Sequence, residues 1–205
     1  METKKINLII AGAFITALLF IKANCTKLPF DCAKIVYSFQ LPVKAFPDKD
    51  TIEVGDTIWL EINEPTLIRD GISGEMINFS GTSNLGSAIS FRYWDKLLST
   101  WIEGAGRYEF ILYKGNELKA TSLSIEYRFI EEGGQYRFKV GIIPKEKGLQ
   151  RLLFSSSNNT FRENDKCTKA SFTINFKDTD QHYYLSPSYT GQTGLIGGDY
   201  YFYVK

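Results

Sequence analysis

Apolar and polar residues alternate along much of this chain, beginning at Tyr37-Ser38-Phe39-Gln40-Leu41-Pro42-Val43-Lys44-Ala45. Every odd-numbered residue there is apolar or aromatic, and every even one is polar or proline. A strand sends successive side chains to opposite faces, so this spacing predicts a strand with one buried face. Pro42 has no N–H to give a ladder, which places the strand at an edge or at a bulge. Phe46-Pro47-Asp48-Lys49-Asp50 has the composition of a turn and leads to Ile52-Glu53-Val54. After Gly55-Asp56, the run from Thr57 to Ile62 puts Ile58, Leu60 and Ile62 on one face. From Asn63 to Ser87 the pattern dissolves into Gly, Ser, Asn and Thr, as expected of a long loop with at most short strands. Alternation returns at Ile89, Phe91 and Tyr93.

Trp94, Leu97, Leu98 and Trp101 then recur at helical spacing, so the segment is ambiguous: one short helix fits them, and core or loop-capping aromatics are the commoner use of such rings. Downstream, Leu123 to Glu132 and Gln135 to Ile143 flank Gly133-Gly134. Two glycines can both take positive φ, as a type I′ turn requires, and this predicts a hairpin. With those two as the loop, Phe129 faces Phe138, Tyr127 faces Val140 and Ile125 faces Ile142. Arg128 and Lys139 meet on the other face. A slip of one residue would break all three apolar pairs. Further strands are expected around Tyr108, Phe110 and Leu112, at Leu152 to Phe154, through Phe172, Ile174 and Phe176, and at Tyr200, Phe202 and Val204. Many short strands without a long helix predict an all-β fold, an antiparallel immunoglobulin-like sandwich of two sheets. The wealth of Phe (15) and Tyr (12) agrees with that class.

The N-terminus breaks the alternation. Lys4 and Lys5 precede an apolar stretch from Ile6 to Ile21, interrupted by Asn7 and Thr16. As a helix it would rise roughly 24 Å, short of a bilayer core. A basic start, a short apolar centre and small residues after it describe a secretory signal; an uncleaved single-span anchor is the rival. The expected organisation is a signal peptide over residues 1–24, a tether over 25–34 and a β-sandwich domain over 35–205. Cys25 follows the apolar stretch directly, where bacterial lipoproteins carry the acylated cysteine. Lys22-Ala23-Asn24-Cys25 resembles a lipobox, departing from it at Lys22 and Asn24, and ordinary cleavage after Ala23 is the alternative. Lipidation would make the membrane a partner of the protein.

Charge narrows the partners. Twenty-four basic residues face 23 acidic ones, and losing Lys4, Lys5, Lys22 and Glu2 with the signal leaves the chain close to neutral. Basic residues are scattered, so nothing resembles the electrostatic footprint of a nucleic-acid-binding protein. There are three cysteines, Cys25, Cys32 and Cys167. With Cys25 acylated, Cys32 and Cys167 are left to form a disulfide. Such a bridge would close a loop of about 135 residues, credited with roughly 4–5 kcal/mol by chain entropy. A Cys25–Cys32 bridge in a non-lipidated chain, or two buried thiols, are the alternatives.

The segments Ile52 to Leu60 and Tyr136 to Gly148 resemble those of uncharacterised exported proteins from Bacteroidota, typically small lipoproteins with immunoglobulin-like sandwiches. That resemblance implies a Gram-negative envelope location and carries no activity with it.

Candidate chemistry is sparse. The single histidine, His182, has no Gly-x-Ser-x-Gly elbow to accompany it, and one His with three Cys is a poor zinc set. No cofactor is expected. Asp48, Asp50 and Asp56 crowd one turn region, and Asp178 and Asp180 another; either could offer oxygen ligands to calcium or simply face solvent. Trp94, Trp101, Tyr183 and Tyr184 are candidate glycan contacts, because exposed rings stack on the apolar faces of sugars. Filling a core is the competing use of the same rings. Three functions remain in view: a non-catalytic interaction or structural module of the envelope, a glycan-binding accessory protein, and a hydrolase with an unrecognised site.

Overall fold

The computed structural model describes residues 35–191 and 198–205. The expected signal peptide and tether, with Cys25 and Cys32, lie outside the described residues. In chain order the strands are β1 (Ile35–Pro42), β2 (Lys44–Phe46), β3 (Thr51–Ile52), β4 (Ile58–Pro65), β5 (Leu67–Arg69), β6 (Met76–Asn78), β7 (Gly86–Asp95), β8 (Thr100–Glu103) and β9 (Tyr108–Lys114). They continue as β10 (Asn116–Ala120), β11 (Ser124–Arg128), β12 (Ile130–Glu132), β13 (Gln135–Pro144), β14 (Gly148–Phe154), β15 (Ser157–Arg162), β16 (Asp165–Asn175) and β17 (Asp199–Val204). Helix among the described residues is confined to two 3-10 turns, Ala105–Arg107 and Tyr183–Leu185.

Two large sheets form an all-β sandwich. One has seven strands in the order β10-β11-β7-β14-β17-β3, with β8 also on β7; the other has five, β12-β13-β4-β2, with β9 also on β13. Their inner faces meet through rings. Phe138 of the five-stranded sheet lies 5.2 Å from Tyr127 and 6.2 Å from Phe154 of the seven-stranded one, and Phe110 lies 5.0 Å from Phe91. The predicted inward residues Ile58, Leu60, Ile62, Val140 and Ile142 are all buried in this core. A smaller sheet, β1-β16-β15, extends the same core through Phe39 and Phe172.

The pairing is not purely antiparallel. β1 runs parallel to β16, and β17 parallel to β3. Parallel neighbours need long connections, and here most of the chain separates each pair.

Pro42 marks a change of sheet. β1 is an edge strand, as predicted, and its ladder to β16 ends at Pro42. Beyond Val43 the chain joins β4 as β2, in the other sheet. The Gly133-Gly134 hairpin behaves in the same way. Both glycines have positive φ, 60° and 73°, and Glu132↔Gln135, Glu131↔Tyr136 and Ile130↔Arg137 keep the predicted register. There the hairpin stops. At Phe129 the chain crosses to the seven-stranded sheet, where β11 pairs with β7 and β10. Tyr127 and Ile125 therefore reach the core from the opposite layer, while Val140 and Ile142 face β4 and β9. Arg128 and Lys139 are likewise in different sheets, and their like-charge contact is never made. The apolar inventory is the one expected, but it faces itself across the core.

The long loop holds β5 and β6, and a turn that seals the free edge of β1. Asp70 Oδ1 accepts the Ser38 N–H (2.8 Å), and Oδ2 accepts the N–H and the hydroxyl of Ser73 (2.8 Å each). Gly71 N–H returns a bond to the Ser38 carbonyl (2.7 Å). Burial alone would raise the Asp70 carboxyl, but the bonds from Ser38 and Ser73 outweigh it and hold it down, from 3.8 to about 2. A depressed carboxylate stabilises the fold fully above its unfolded value and loses that contribution as pH falls through its folded one. Bonds to charged groups contribute about 1.5–3 kcal/mol each and are shared here by one side chain, so Asp70→Asn is expected to cost about 2 kcal/mol at neutral pH. In acid titrations followed by circular dichroism, the gap between wild type and variant should close between pH 4 and 2. A gap that persists unchanged to pH 2 would contradict this assignment.

Candidate binding face

Trp94 and Trp101 stand opposite each other on β7 and β8, their rings 5.4 Å apart and inclined at 67°. Of the two readings of this segment the helix is not formed: it is a hairpin, with the two rings flanking its turn. Asp95 carboxylate accepts the N–H groups of Leu97 (2.8 Å) and Leu98 (3.0 Å), and Ser99 takes φ of 48°. A carboxylate bonding the backbone two and three residues on makes a tight turn. Leu97 and Leu98 sit at its exposed tip, so the stripe that suggested a helix has no buried face.

Alternation along β7 sends Ile89 and Phe91 inward, leaving Arg92 and Trp94 on the outer face. Strand pairing assembles the rest of that face. Arg92 is opposite Glu103 on β8 and Arg151 on β14, and Arg151 is opposite Tyr201 on β17. Arg92 pairs with Glu103 at 3.0 Å and Arg151 with Asp199 at 3.2 Å. The Arg151 guanidinium lies over the Trp101 ring, 4.7 Å from its centroid, which adds a cation–π attraction. Trp101 is 5.8 Å from Tyr201, and Tyr201 is 5.9 Å from Tyr183. Tyr201 hydroxyl donates to Asp199 (3.1 Å), and burial raises its pKa. Partly exposed rings and paired arginine–carboxylate couples thus share one surface. It offers flat apolar area beside oriented donors and acceptors, the means by which a protein holds a hydroxyl-bearing ring.

Three of the four sequence candidates, Trp94, Trp101 and Tyr183, belong to this face, joined through Tyr201. Tyr184 does not. Its hydroxyl donates to Asp50 at 2.7 Å, which lowers the Asp50 carboxyl and pushes the Tyr184 hydroxyl up to about 12. Arg92, Glu103, Arg151 and Asp199 escaped sequence reasoning, because strand neighbours far apart in the chain are invisible to periodicity. A second outward set, also unforeseen, surrounds Lys139. Its ammonium lies 4.7, 5.5 and 5.7 Å from the rings of Phe46, Trp59 and Tyr113. All three tryptophans are partly exposed, so none is spent on filling the core.

His182 is buried. Nδ1 is 3.0 Å from the Tyr201 carbonyl, and Nε2 is 3.5 Å from Asp48 Oδ1. Its own N–H is bonded to Asp180 (2.9 Å). The imidazole therefore lies between the turn before β3 and β17. Asp56 accepts the Glu53 N–H (3.0 Å) within its own turn. Among the described residues no group of three or more His, Cys, Asp or Glu is placed to hold a metal ion, and no helix is long and apolar enough to cross a membrane. Cys167 stands on β16, one residue before the β1–β16 ladder begins at Ile35↔Thr168; Cys32, its expected partner, is outside the described residues.

No known family matches the sequence, and no curated protein matches it either.

Proposed function

We propose that this chain is an exported lipoprotein of a Gram-negative envelope, held to the membrane through Cys25 and acting as a non-catalytic binding module. The observation that carries the binding part is the Trp94–Trp101 pair. It is two large rings left partly exposed on an outer sheet face and continuous with Arg151, Asp199 and Tyr201. The basic and apolar leader ahead of Cys25 and the resemblance to exported Bacteroidota proteins support the location. A Cys32–Cys167 disulfide belongs to the same reading. The β1–β16 register brings the chain three residues after Cys32 beside the residue after Cys167.

Cys25→Ala is expected to move the protein from the membrane to the soluble fraction and to remove the acyl mass. Unchanged fractionation and processing would end the lipoprotein reading.

Glycan is the ligand class that the exposed tryptophans favour. Ring stacking contributes about 0.5–1.5 kcal/mol beyond area burial, so Trp101→Ala is expected to weaken glycan binding about tenfold in calorimetry. If the wild type binds no glycan, the glycan reading is wrong.

A further inference from the structure

We propose that the aromatic face is one end of an extended trough for an uncharged oligosaccharide, with a second subsite where β14 leaves β7. This rests on the glycan reading above and adds the shape and charge of the ligand.

The second subsite is a polar cleft of about 220 Å³. It forms because β14 pairs with β7 only as far as Phe154↔Ile89. Ser155 still holds on, its N–H donating to the Ala88 carbonyl (2.9 Å), while its hydroxyl accepts the Ala88 N–H (2.9 Å). The chain then swings away towards β15. One wall is Ser155, Ser156 and Asn158; the other is Glu126 and Arg128 on β11; Ala88 lies between them. Hydroxyls, an amide, a carboxylate and a guanidinium give donors and acceptors in several directions, which suits a polyol.

Cleft and aromatic pair lie on the same side of the seven-stranded sheet. Residues directly opposite in a ladder share a face. Glu126 is opposite Ala88, Ser124 is opposite Ser90, and Arg92 is opposite Arg151. Ala88, Ser90, Arg92 and Trp94 alternate with the buried Ile89 and Phe91, so all four point outward. From Ala88 to Trp94 is six residues, roughly 20 Å of strand. The side chains between are short at Ser90 and Ser124. That length fits a chain of sugars and exceeds what one ring can span.

Charge at the aromatic end of the trough is balanced. Arg92 is matched by Glu103 and Arg151 by Asp199; at the cleft end Glu126 stands between Arg128 on its own strand and Lys119 opposite it on β10. With both arginines matched at the aromatic end and the one extra cation, Lys119, exposed to solvent, the surface has little electrostatic preference for an acidic glycan, and its binding should depend only weakly on salt.

The test uses the full chain with neutral cello-, manno-, xylo- and malto-oligosaccharides, disaccharide against hexasaccharide, in titration calorimetry. For the series that binds, the hexasaccharide is expected to bind at least about tenfold tighter, with little change between low and high salt. Ser156→Trp fills the cleft from an exposed loop, and Ala88→Gln fills it from the strand. Each should bring the hexasaccharide down to disaccharide affinity and leave the disaccharide unchanged, with wild-type circular dichroism. Trp101→Ala should weaken both ligands. If Trp101→Ala weakens binding while both cleft variants keep wild-type hexasaccharide affinity, the trough is wrong and the glycan reading stands. Affinity that falls steeply with salt, or found only with uronic-acid chains, overturns the uncharged ligand. No binding by any series sinks both readings together.

Discussion

Phe172→Ala is expected to destabilise the protein by about 3–5 kcal/mol, the range for deleting a fully buried phenylalanine. The position is chosen because three layers of packing meet on this ring. Phe172 is wholly buried on β16, with Phe39 of the neighbouring strand 5.1 Å away and Phe79 of the long loop 5.9 Å away. Tyr136 of the five-stranded sheet presses its edge against it at 5.8 Å. Tyr136 is itself fixed, its hydroxyl donating to the Phe79 carbonyl. Neighbours held by backbone bonds on three sides cannot collapse into the space, so the cavity term adds to the lost transfer free energy. At roughly 2–4 °C per kcal/mol for a chain of this size, the melting temperature should fall by about 6–20 °C. Phe172→Leu, which keeps most of the volume, should cost less than half as much. An alanine variant within a degree or two of wild type would mean that the small sheet does not share the cooperative core.

Gly86→Ala is expected to cost about 3 kcal/mol, although it adds a single methyl group to a part-exposed strand. A Cβ built at Gly86 would lie 2.2 Å from the Tyr127 carbonyl oxygen and 3.1 Å from the Arg128 Cα, both backbone atoms of the adjacent strand. Backbone cannot rotate away as a side chain can. β7 and β11 would have to separate where Gly86 faces Arg128, next to the Phe129 N–H bond to the Leu85 carbonyl (3.0 Å). That is the point at which the chain crosses between layers, so strain there loosens both sheets. Overpacking ordinarily costs 1–3 kcal/mol, and a clash against backbone belongs at the upper end. Thermal unfolding gives the measure. Gly106→Ala, where a Cβ meets nothing within 4 Å, is the control expected to be neutral. Equal melting temperatures for the two variants would refute the close approach.

Much of this was legible beforehand. The alternation through Tyr37 to Ala45, the Ile58-Leu60-Ile62 face, the aromatic C-terminal strand and the Gly133-Gly134 turn all follow from geometry within a few residues. A strand's two-residue side-chain period and glycine's freedom at positive φ are local properties, and a sequence displays them directly. The segment from Trp94 to Trp101 is ambiguous in sequence for an equally local reason. Its apolar spacing fits a helix, but the Asp95 side chain bonds the backbone of Leu97 and Leu98 and closes a turn first.

Which residues turn inward, and that they do so as strands, was therefore written in the chain. Which strands become neighbours was not. A given apolar face can be buried equally well by a partner beside it in the sheet or by one across the core. The crossings at Val43 and Phe129 were settled only when whole sheets packed against each other. The binding face follows from that choice. Trp101, Arg151 and Asp199 lie far apart in the chain and meet on one surface because β8, β14 and β17 were laid side by side around β7.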